Sequence, residues 1–282
     1  MYLLLSILLF FQNSVQEQKT EPALKVMTFN IRLDISVDGE NQWGKRTDLV
    51  AGLFAAKKPD FIGMQEVVRN QLLDMESFSP DYEWIGVGRD DGNKKGEYSP
   101  IFYNKLKFEM LQTNTFWLAK NPEVPSKDWD AAFNRVCTWG KFKRVTDGKI
   151  FYVFNSHFDH MGVKARVESA KLIRKKIVEI TGNNPAIVTG DFNTTPDSDV
   201  YKTMTKSEKE LALVDTKSVS KSKPNGIDFT FNGFNADLKE KQTIDYIFVK
   251  KGILVLSHET IGDKPNGRFI SDHFPVMGEI VL

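Results

Sequence analysis

The chain contains 282 residues, enough to bury roughly three quarters of the surface of its unfolded form in one or two cores. With 41% hydrophobic and 27% charged residues, it has the composition of a globular protein, which argues against a disordered or fibrous chain. The 38 basic and 37 acidic side chains leave a formal net charge of +1. Proteins that grip long nucleic acids nonspecifically usually carry a clear basic excess, because several phosphates must be neutralised. The charge balance therefore favours a small or amphiphilic partner over long duplex DNA.

The beginning of the chain is an apolar run over residues 1–11, followed by a polar segment. The run is too short to span a bilayer of about 30 Å, which takes about 20 residues. It resembles the hydrophobic part of a secretory signal peptide, although it lacks a preceding basic residue and an Ala-x-Ala cleavage site. We predict a signal peptide with a short linker over residues 1–20 and a single domain over residues 21–282. An uncleaved anchor or a wrongly assigned start codon is the alternative.

The number of cysteines indicates which compartment this chain would occupy if it is exported. Cys137 is the only cysteine, so the chain cannot form an internal disulfide. Disulfide-rich frameworks are typical of eukaryotic secreted domains. An exported chain with one thiol therefore fits the periplasm, the outer surface or the extracellular space of a bacterium. The sequence predicts no membrane span after the signal.

In chain order, strand patterns alternate with helix patterns in the first third of the sequence. The pattern predicts a strand over Leu24–Asn30, a helix over Lys45–Lys57, a strand over Phe61–Gln65 and a helix over about Asn70–Ser77. Several strands without intervening helices follow, and the turn signal Asp147-Gly148 separates the last two of them. These strands are predicted over Tyr82–Val87, Ser99–Tyr103, Phe108–Leu118, Arg135–Lys143 and Ile150–Asn155.

The second half repeats the mixture of strands and helices. We predict helices over Val163–Thr181 and Asp197–Thr205 and, between them, a buried strand over Ala186–Thr189. The remaining strands are predicted over Thr243–Val249, Ile253–Ile261 and Val276–Leu282. The Lys- and Ser-rich segment Lys206–Asn225 is interpreted as a surface loop. Mixed strand runs with helical crossovers indicate an α/β fold of two packed sheets with helices outside.

Polar side chains fall repeatedly at the carboxyl ends of apolar strands. Open α/β folds gather their ligand groups at strand ends, although any single Asp in such a place is usually a turn or cap residue. The residues concerned are Asn30, Gln65, Glu66, His157, Asp159, Asp191 and Asn193.

The residue types at these ends suit a hard cation. Mg²⁺ prefers oxygen ligands from one or two carboxylates, with water and substrate phosphate completing its coordination. Glu66 with Asn30, and Asp191 with Asn193, supply that chemistry. The sequence has no His-Glu-x-x-His motif and no cysteine cluster, so zinc is not expected as the primary metal.

An acid–histidine pair lies near the C-terminus, in Ser271-Asp272-His273. A histidine that acts as a general base needs a carboxylate to fix its tautomer. Asp245, at the start of a predicted strand, could supply that carboxylate to His273. Taken alone, both segments could equally be turn signals.

Together these motifs resemble the endonuclease/exonuclease/phosphatase superfamily over roughly residues 24–282. The most specific pieces are Gln65-Glu66, Gly190-Asp191-Phe192-Asn193 and Ser271-Asp272-His273, in that order. The resemblance implies a four-layered α/β sandwich in which two mixed β-sheets pack face to face with helices outside. The run from His157 to Gly162 is similar to that of exported bacterial members of the superfamily.

The resemblance implies a role for each matched position. Glu66 would be the main metal carboxylate, with Asn30 beside it and Asp272 near the metal, which would be Mg²⁺ with Mn²⁺ as a substitute. Five residues would carry the catalytic roles of positioning water and phosphate, accepting a proton and orienting the base: His157, Asp191, Asn193, Asp245 and His273. Five further residues would line the substrate and phosphate pocket: Glu97, Arg135, Asp159, His160 and Arg166.

The implied reaction is hydrolysis of a phosphate ester by in-line attack of water. Either Asp191 or His273 could accept the proton of the water, and both diesters and monoesters remain open as substrates. We predict a monomer that acts on a compact ester. The alternative is a secreted nuclease that acts on DNA or RNA. A non-catalytic binding module with the same fold would be expected to lack Glu66, Asp191 or His273, and all three are present. A glycosidase with a carboxylate pair would need neither the asparagines nor a metal.

Overall fold

A computed structural model describes residues 22–282. The predicted signal segment, residues 1–20, lies outside the described residues. Within residues 22–282, no helix combines the length and the apolar character needed to cross a membrane.

The described chain alternates between strands and helices. The helices are α1 (Thr47–Lys57), α2 (Arg69–Phe78), α3 (Val163–Thr181), α4 (Asp199–Thr205) and α5 (Thr216–Val219). The strands are β1 (Leu24–Asn30), β2 (Phe61–Gln65), β3 (Tyr82–Ile85), β4 (Ile101–Asn104), β5 (Phe108–Trp117), β6 (Val136–Arg144), β7 (Ile150–His157), β8 (Ala186–Asp191), β9 (Leu213–Asp215), β10 (Asn225–Gly226), β11 (Asp245–Lys250), β12 (Leu254–Thr260) and β13 (Val276–Val281).

The strands form two mixed sheets. The first has seven strands in the order β10-β12-β13-β1-β2-β4-β3, and the second has six in the order β5-β6-β7-β8-β11-β9. Each sheet is built around a parallel pair, β1 with β2 and β7 with β8. Antiparallel neighbours flank both pairs, for example β13 beside β1 and β11 beside β8.

The alternation of side chains along β1 shows how the layers stack. Val26 packs into the apolar core shared by the two sheets, whereas Met27 faces the core beneath α1 and α2. Successive residues of a strand point to opposite faces, so a strand covered on both sides must be apolar throughout. On the other sheet, Val188 of β8 lies in a third core together with Ile173 of α3. The molecule is therefore a four-layered α/β sandwich, as the sequence predicted.

Tertiary pairing extends two of the predicted strands at the functional end of the sheet. Strands β7 and β8 continue two residues beyond their predicted ends, to His157 and Asp191, because these residues still pair in the parallel ladder. The segment Lys206–Asn225, predicted to be a surface loop, also contains β9 and α5. That prediction was wrong for Leu213–Val219, because β9 pairs with the edge of β11 and buries Leu213.

A buried polar cluster joins the two sheets just below their functional end. The side chain of Gln65 donates to Asn155 Oδ1 at 2.7 Å, and Asn155 Nδ2 donates to the carbonyl of Met64 at 2.7 Å. Gly63 leaves room for this cluster, since an added Cβ would overlap Thr189 Oγ1 and lie 2.5 Å from Asn155 Oδ1. Thus a glycine in a central strand here reflects the close approach of the second sheet.

Replacing Gly63 with alanine is expected to lower the free energy of unfolding by about 1 to 3 kcal/mol or more, because overpacked cores must shift buried groups. Gly52→Ala is the matched control, since no atom lies within 4 Å of its added Cβ and Gly52 sits in α1. The control should stabilise the protein by up to about 1 kcal/mol through helix propensity. Chemical denaturation measures both changes, and equal effects would refute the packing argument.

Candidate functional site

The candidate site lies at the carboxyl ends of the parallel strands β1 and β2 of one sheet and β7 and β8 of the other. In the parallel ladders, Asn30 is opposite Gln65 and His157 is opposite Asp191. The antiparallel strand β11 begins with Asp245 opposite Asp191, so its first residue reaches the same end.

A cavity of about 490 Å³ opens at this end. Four residues predicted for the site lie outside its lining, namely Asn30, Asp159, Arg166 and Asp245. The nine that line it are Glu66, Glu97, Arg135, His157, His160, Asp191, Asn193, Asp272 and His273.

A second cavity, of about 620 Å³, lies between α3 and α4. It is larger, but its lining contains no histidine or carboxamide. Arg174 in its wall is already bound to Glu208 and to the carbonyls of Met204 and Leu211. The cavity of about 490 Å³ is therefore the candidate active site.

Asn30 connects the two acids that the sequence singled out. Its Nδ2 donates to Glu66 Oε1 at 3.1 Å and to Asp191 Oδ2 at 3.0 Å, while its Oδ1 accepts the backbone N–H of Arg32 at 3.0 Å. The amide oxygen is therefore turned away from the acids. In this geometry Asn30 positions Glu66 and Asp191, and its role as a metal ligand stays a prediction.

Glu66 and Asp272 are the carboxylates best placed for a cation. Burial raises the pKa of Asp272 to about 6, and the nearby charge of Glu66 adds to this shift while His273 opposes it. The guanidinium of Arg32 lies 3.7 Å from Glu66 Oε2 and 3.8 Å from Asp272 Oδ2. Two acids facing one cavity suit a hard divalent cation, so the donor set fits Mg²⁺ or Mn²⁺.

His273 is held between two acids. Its Nδ1 lies 2.9 Å from Asp245 Oδ2 and its Nε2 lies 3.8 Å from Asp191 Oδ2. Although burial opposes the charged form, Asp245 raises the pKa of His273 well above its ordinary value. Burial and the charge of Asp245 also raise the pKa of Asp191 to about 7. At neutral pH the histidine is therefore an imidazolium, a better phosphate ligand than proton acceptor.

The ligand atoms of Asp191, Asp245 and His273 lie within 4.8 Å of one another, close enough for a metal ion. However, the hydrogen bond to Asp245 already uses Nδ1 of the imidazole. The group therefore fits an acid–histidine–acid row better than a second cation site.

His157 has the opposite electrostatic environment. Burial, followed by the positive charges of Arg135 and Arg89, lowers the pKa of His157 well below its ordinary value. Its Nε2 accepts a hydrogen bond from Asn193 Nδ2 at 3.1 Å and lies 3.6 Å from Asp191 Oδ2. Burial and two guanidinium neighbours thus favour the neutral form of the His157 ring.

Glu97, one of the predicted pocket residues, lies beside His157 in the cavity. Its Oε2 lies 3.9 Å from His157 Nδ1 and accepts a hydrogen bond from Arg89 at 2.7 Å. Burial raises the pKa of Glu97, and Arg89 opposes this shift. Glu97 thus pairs with Arg89, a guanidinium that the sequence analysis had not considered, and lies near His157 without a hydrogen bond to it.

Asp159 and Arg166 have structural contacts instead of a place in the cavity. The carboxylate of Asp159 is buried and accepts backbone N–H groups from two segments, including those of Phe133 at 3.2 Å and Gly162 at 2.7 Å. Arg166 donates to the carbonyl of Asp159 at 2.9 Å. Both residues fix loops beside the site and do not line the cavity, so a direct role in binding substrate stays a prediction.

Six lining residues were missed by sequence reasoning: Arg32, Leu33, Phe133, Phe231, Gln242 and Ile244. Arg32 follows the functional strand end by two residues and has a positive φ of 59°, which sequence alone does not indicate. The aromatic residues belong to loops with no motif, so no signal separates them from ordinary loop residues.

The buried Asp191 makes stability depend on pH in metal-free protein. Its folded-state pKa of about 7 lies above the ordinary value of 3.8, so its stabilising contribution is complete below 3.8 and is lost as pH rises through 7. In metal-free Asp191→Asn, the decline in unfolding free energy between pH 4 and pH 8 should shrink by an amount on the order of a few kcal/mol. Denaturant titrations across this range measure it. Asp237→Asn, at an exposed loop position, should keep the wild-type pH profile.

This combination of a four-layered α/β sandwich with an acid-rich, histidine-containing cavity defines a class of phosphate-ester hydrolases. The model of the Endonuclease/Exonuclease/phosphatase family matches residues 27–273. The chain belongs to this family, whose members are divalent-metal-dependent hydrolases acting on phosphate esters.

Solved structures agree with this assignment over nearly the whole described chain. An endonuclease/exonuclease/phosphatase from Bacteroides vulgatus is 44% identical, with a TM-score of 0.89 and coverage of 93% of this chain and 100% of that one. A mannosyl-6-phosphatase from Bacteroides thetaiotaomicron is 38% identical, with a TM-score of 0.85 and coverage of 92% and 100%.

Among curated proteins, nocturnin of Drosophila melanogaster is 23% identical over 278 residues, covering 85% of this chain and 42% of the fly protein. The chain spans about half the length of the curated relatives it matches.

Proposed function

We propose that this chain hydrolyses a compact phosphate ester, and that a sugar phosphate monoester is the best candidate. The observation that carries the proposal is the row formed by Asp245, His273 and Asp191, set in the same cavity as Glu66 and Asp272. A binding module would have no use for a proton acceptor next to an imidazolium and a cation site.

Glu66 and Asp272 would hold the divalent cation, with Asn30 orienting Glu66. When bound, Mg²⁺ supplies positive charge that neutralises the phosphate and stabilises the leaving oxygen. Arg32 adds a fixed guanidinium beside the same carboxylates.

We assign proton acceptance to Asp191. Its pKa near 7 matches a general base at neutral pH, whereas His273 is already protonated there. Asn30 and the backbone N–H of Asn193 each hold one oxygen of the Asp191 carboxylate. His273, oriented by Asp245, would donate from Nε2 to a phosphate oxygen and so stabilise the charge that develops in the transition state.

Asn193 and His157 would form the other side of the phosphate site. Asn193 Nδ2 donates to His157 Nε2 and to the carbonyl of Phe158 at 3.0 Å. Since a neutral imidazole has one N–H, that proton lies on Nδ1, which faces Glu97. His157 thus holds Asn193 in place next to Asp191, while its Nδ1 faces Glu97 at 3.9 Å without a hydrogen bond.

Two considerations support a small substrate. The mannosyl-6-phosphatase from Bacteroides thetaiotaomicron is 38% identical and is covered along its whole length. The net charge of +1 also does not favour a protein that tracks a long polyanion. The likeness to nocturnin keeps a nuclease as the second candidate.

Purified protein with Mg²⁺ should be assayed against hexose phosphates, an aryl phosphate, inositol phosphates, sphingomyelin, single-stranded RNA and plasmid DNA. We expect the highest kcat/KM for a hexose phosphate and only slow plasmid nicking. Each substrate should be tested at 50 and 200 mM salt, because binding through many phosphates weakens steeply with salt. Rapid, strongly salt-dependent nicking would replace this proposal with the nuclease.

Two further proposals rest on sequence alone: that the chain is exported from a bacterial cell and that it acts as a monomer. Cell fractionation tests the first and sedimentation tests the second. Recovery in the cytoplasmic fraction or sedimentation as a dimer would contradict them.

A further inference from the structure

The cavity wall beside His157 carries an aromatic pair that the hydrolytic chemistry does not use. Phe133 is 49% exposed although it lines the cavity. Its ring lies 5.8 Å from that of His160, and the two planes are 21° apart. We call Phe133 and His160 the aromatic wall. Large apolar side chains are seldom left open inside a polar cavity without a ligand to cover them.

The aromatic wall is held in place by a buried carboxylate. Asp159 is 1% exposed, and its Oδ2 accepts the backbone N–H groups of Ala132 and Phe133 at 3.0 and 3.2 Å. Its Oδ1 accepts those of Met161 and Gly162, directly after His160, at 3.0 and 2.7 Å. The two segments that carry the wall are therefore fixed to the same side chain, which preorganises a binding surface.

A hydrogen bond from Arg135 determines which polar atom the wall offers to a ligand. Arg135 Nη2 lies 3.1 Å from His160 Nδ1. A guanidinium can only donate, so Nδ1 must accept and the ring proton is on Nε2. His160 is exposed, and its Nε2–H is available as a donor beside the Phe133 ring.

The two arginines beside the aromatic wall, Arg89 and Arg135, each form an ion pair with a carboxylate. Arg89 Cζ lies 5.0 Å and Arg135 Cζ lies 5.9 Å from the centre of the Phe133 ring. Arg89 is paired with Glu97 at 2.7 Å and Arg135 with Asp159 at 3.4 Å. Each guanidinium has a carboxylate partner, although Arg89 Nε and Arg135 Nη1 are buried without a hydrogen-bond partner. Since the ion pairs leave little unbalanced charge at the wall, it suits an uncharged group better than a second phosphate.

We propose that the aromatic wall binds the sugar ring of the substrate, with its apolar C–H face on Phe133 and a hydroxyl accepting from His160 Nε2. This inference rests on the proposed function and names the residues that select the alcohol part of the ester. Phe133 is 49% exposed and has Arg89 and Arg135 beside its ring, so it offers a limited patch that fits a hexose, whereas a nucleobase needs a broad open face to stack on. Arg135 and Asp159 act as positioning residues.

The test compares Phe133→Ala with Phe133→Trp and with Leu106→Ala, a control at a 65% exposed residue between β4 and β5. KM and kcat should be measured for mannose 6-phosphate, for ring-free glycerol 3-phosphate and for a nucleoside 5′-monophosphate. We expect Phe133→Ala to raise KM for the hexose phosphate about 10-fold, with kcat and the glycerol phosphate constants nearly unchanged. Phe133→Trp should restore KM, and Leu106→Ala should behave as wild type.

A second measurement does not depend on catalysis. Methyl α-mannoside binding to metal-free protein, followed by NMR line broadening, should weaken in Phe133→Ala and remain in Leu106→Ala. Equal KM ratios in the two variants, or a larger KM rise for the nucleotide than for the hexose, would overturn the inference while leaving the hydrolase intact. If the wild type cleaves no ester, the proposed function fails, and mannoside binding still decides the role of the wall.

Discussion

Replacing His273 with alanine is expected to reduce kcat/KM by about 10² to 10⁴-fold, the range measured for groups that handle protons or charge in the transition state. The reason lies in its position, with Nδ1 2.9 Å from Asp245 and Nε2 facing Asp191 across 3.8 Å. Steady-state kinetics with the best ester of the substrate panel measure the loss. Wild-type rates in this variant would remove His273 from the mechanism.

His258→Gln provides a matched control for the loss of a buried imidazole. His258 is 4% exposed on β12 and its Nδ1 contacts Thr216 Oγ1 at 2.9 Å, but it does not line the catalytic cavity. Thermal unfolding of both variants separates lost chemistry from lost folding. The control should keep most of the activity at a temperature where both variants are folded.

The substitution Asp245→Asn tests how the neighbouring carboxylate affects the pKa of His273. Asp245 raises the pKa of His273, so its removal should lower that pKa and shift the alkaline limb of kcat/KM to lower pH. An unchanged alkaline limb would show that the imidazolium form is not needed. A purely structural role for Asp245 would change stability without moving the pH profile.

Removal of divalent cation is expected to abolish hydrolysis, and Mg²⁺ or Mn²⁺ should restore it. Glu66 and Asp272 bring two negative charges to the same cavity, and the single guanidinium of Arg32 balances only one of them. Turnover before and after exhaustive chelation measures the effect. Full activity in chelated protein would disprove the metal assignment.

Calorimetric titration with Mn²⁺ locates the cation independently of turnover. Glu66→Gln should weaken binding at least about 10-fold, since it removes a charged oxygen ligand. Glu97→Gln is the matched control in the same cavity, because Glu97 is already paired with Arg89 at 2.7 Å. If both variants bind Mn²⁺ equally well, the cation does not lie at Glu66.

The strands and helices that carry the site residues could be predicted from the local pattern of apolar and polar residues. Strand β1 and helix α3 have the predicted bounds, because strands buried on both faces and long amphipathic helices leave strong periodic signals. The short apolar strands also end in polar residues, which indicated Glu66, Asp191 and His157. The family resemblance followed from the order of these motifs.

What the sequence by itself determined was therefore the layered fold and the carboxylates and histidines of the cavity, because both depend on residue type and spacing along the chain. The tertiary structure decided how that inventory is used. Asn30 meets Asp191 across 161 residues of sequence, and only that contact turns its amide nitrogen toward the acids. The neutral state of His157 depends on burial beside Arg89 and Arg135, and the aromatic wall depends on Asp159 joining two loops. Orientation and protonation follow from neighbours distant in sequence, so no local pattern could specify them.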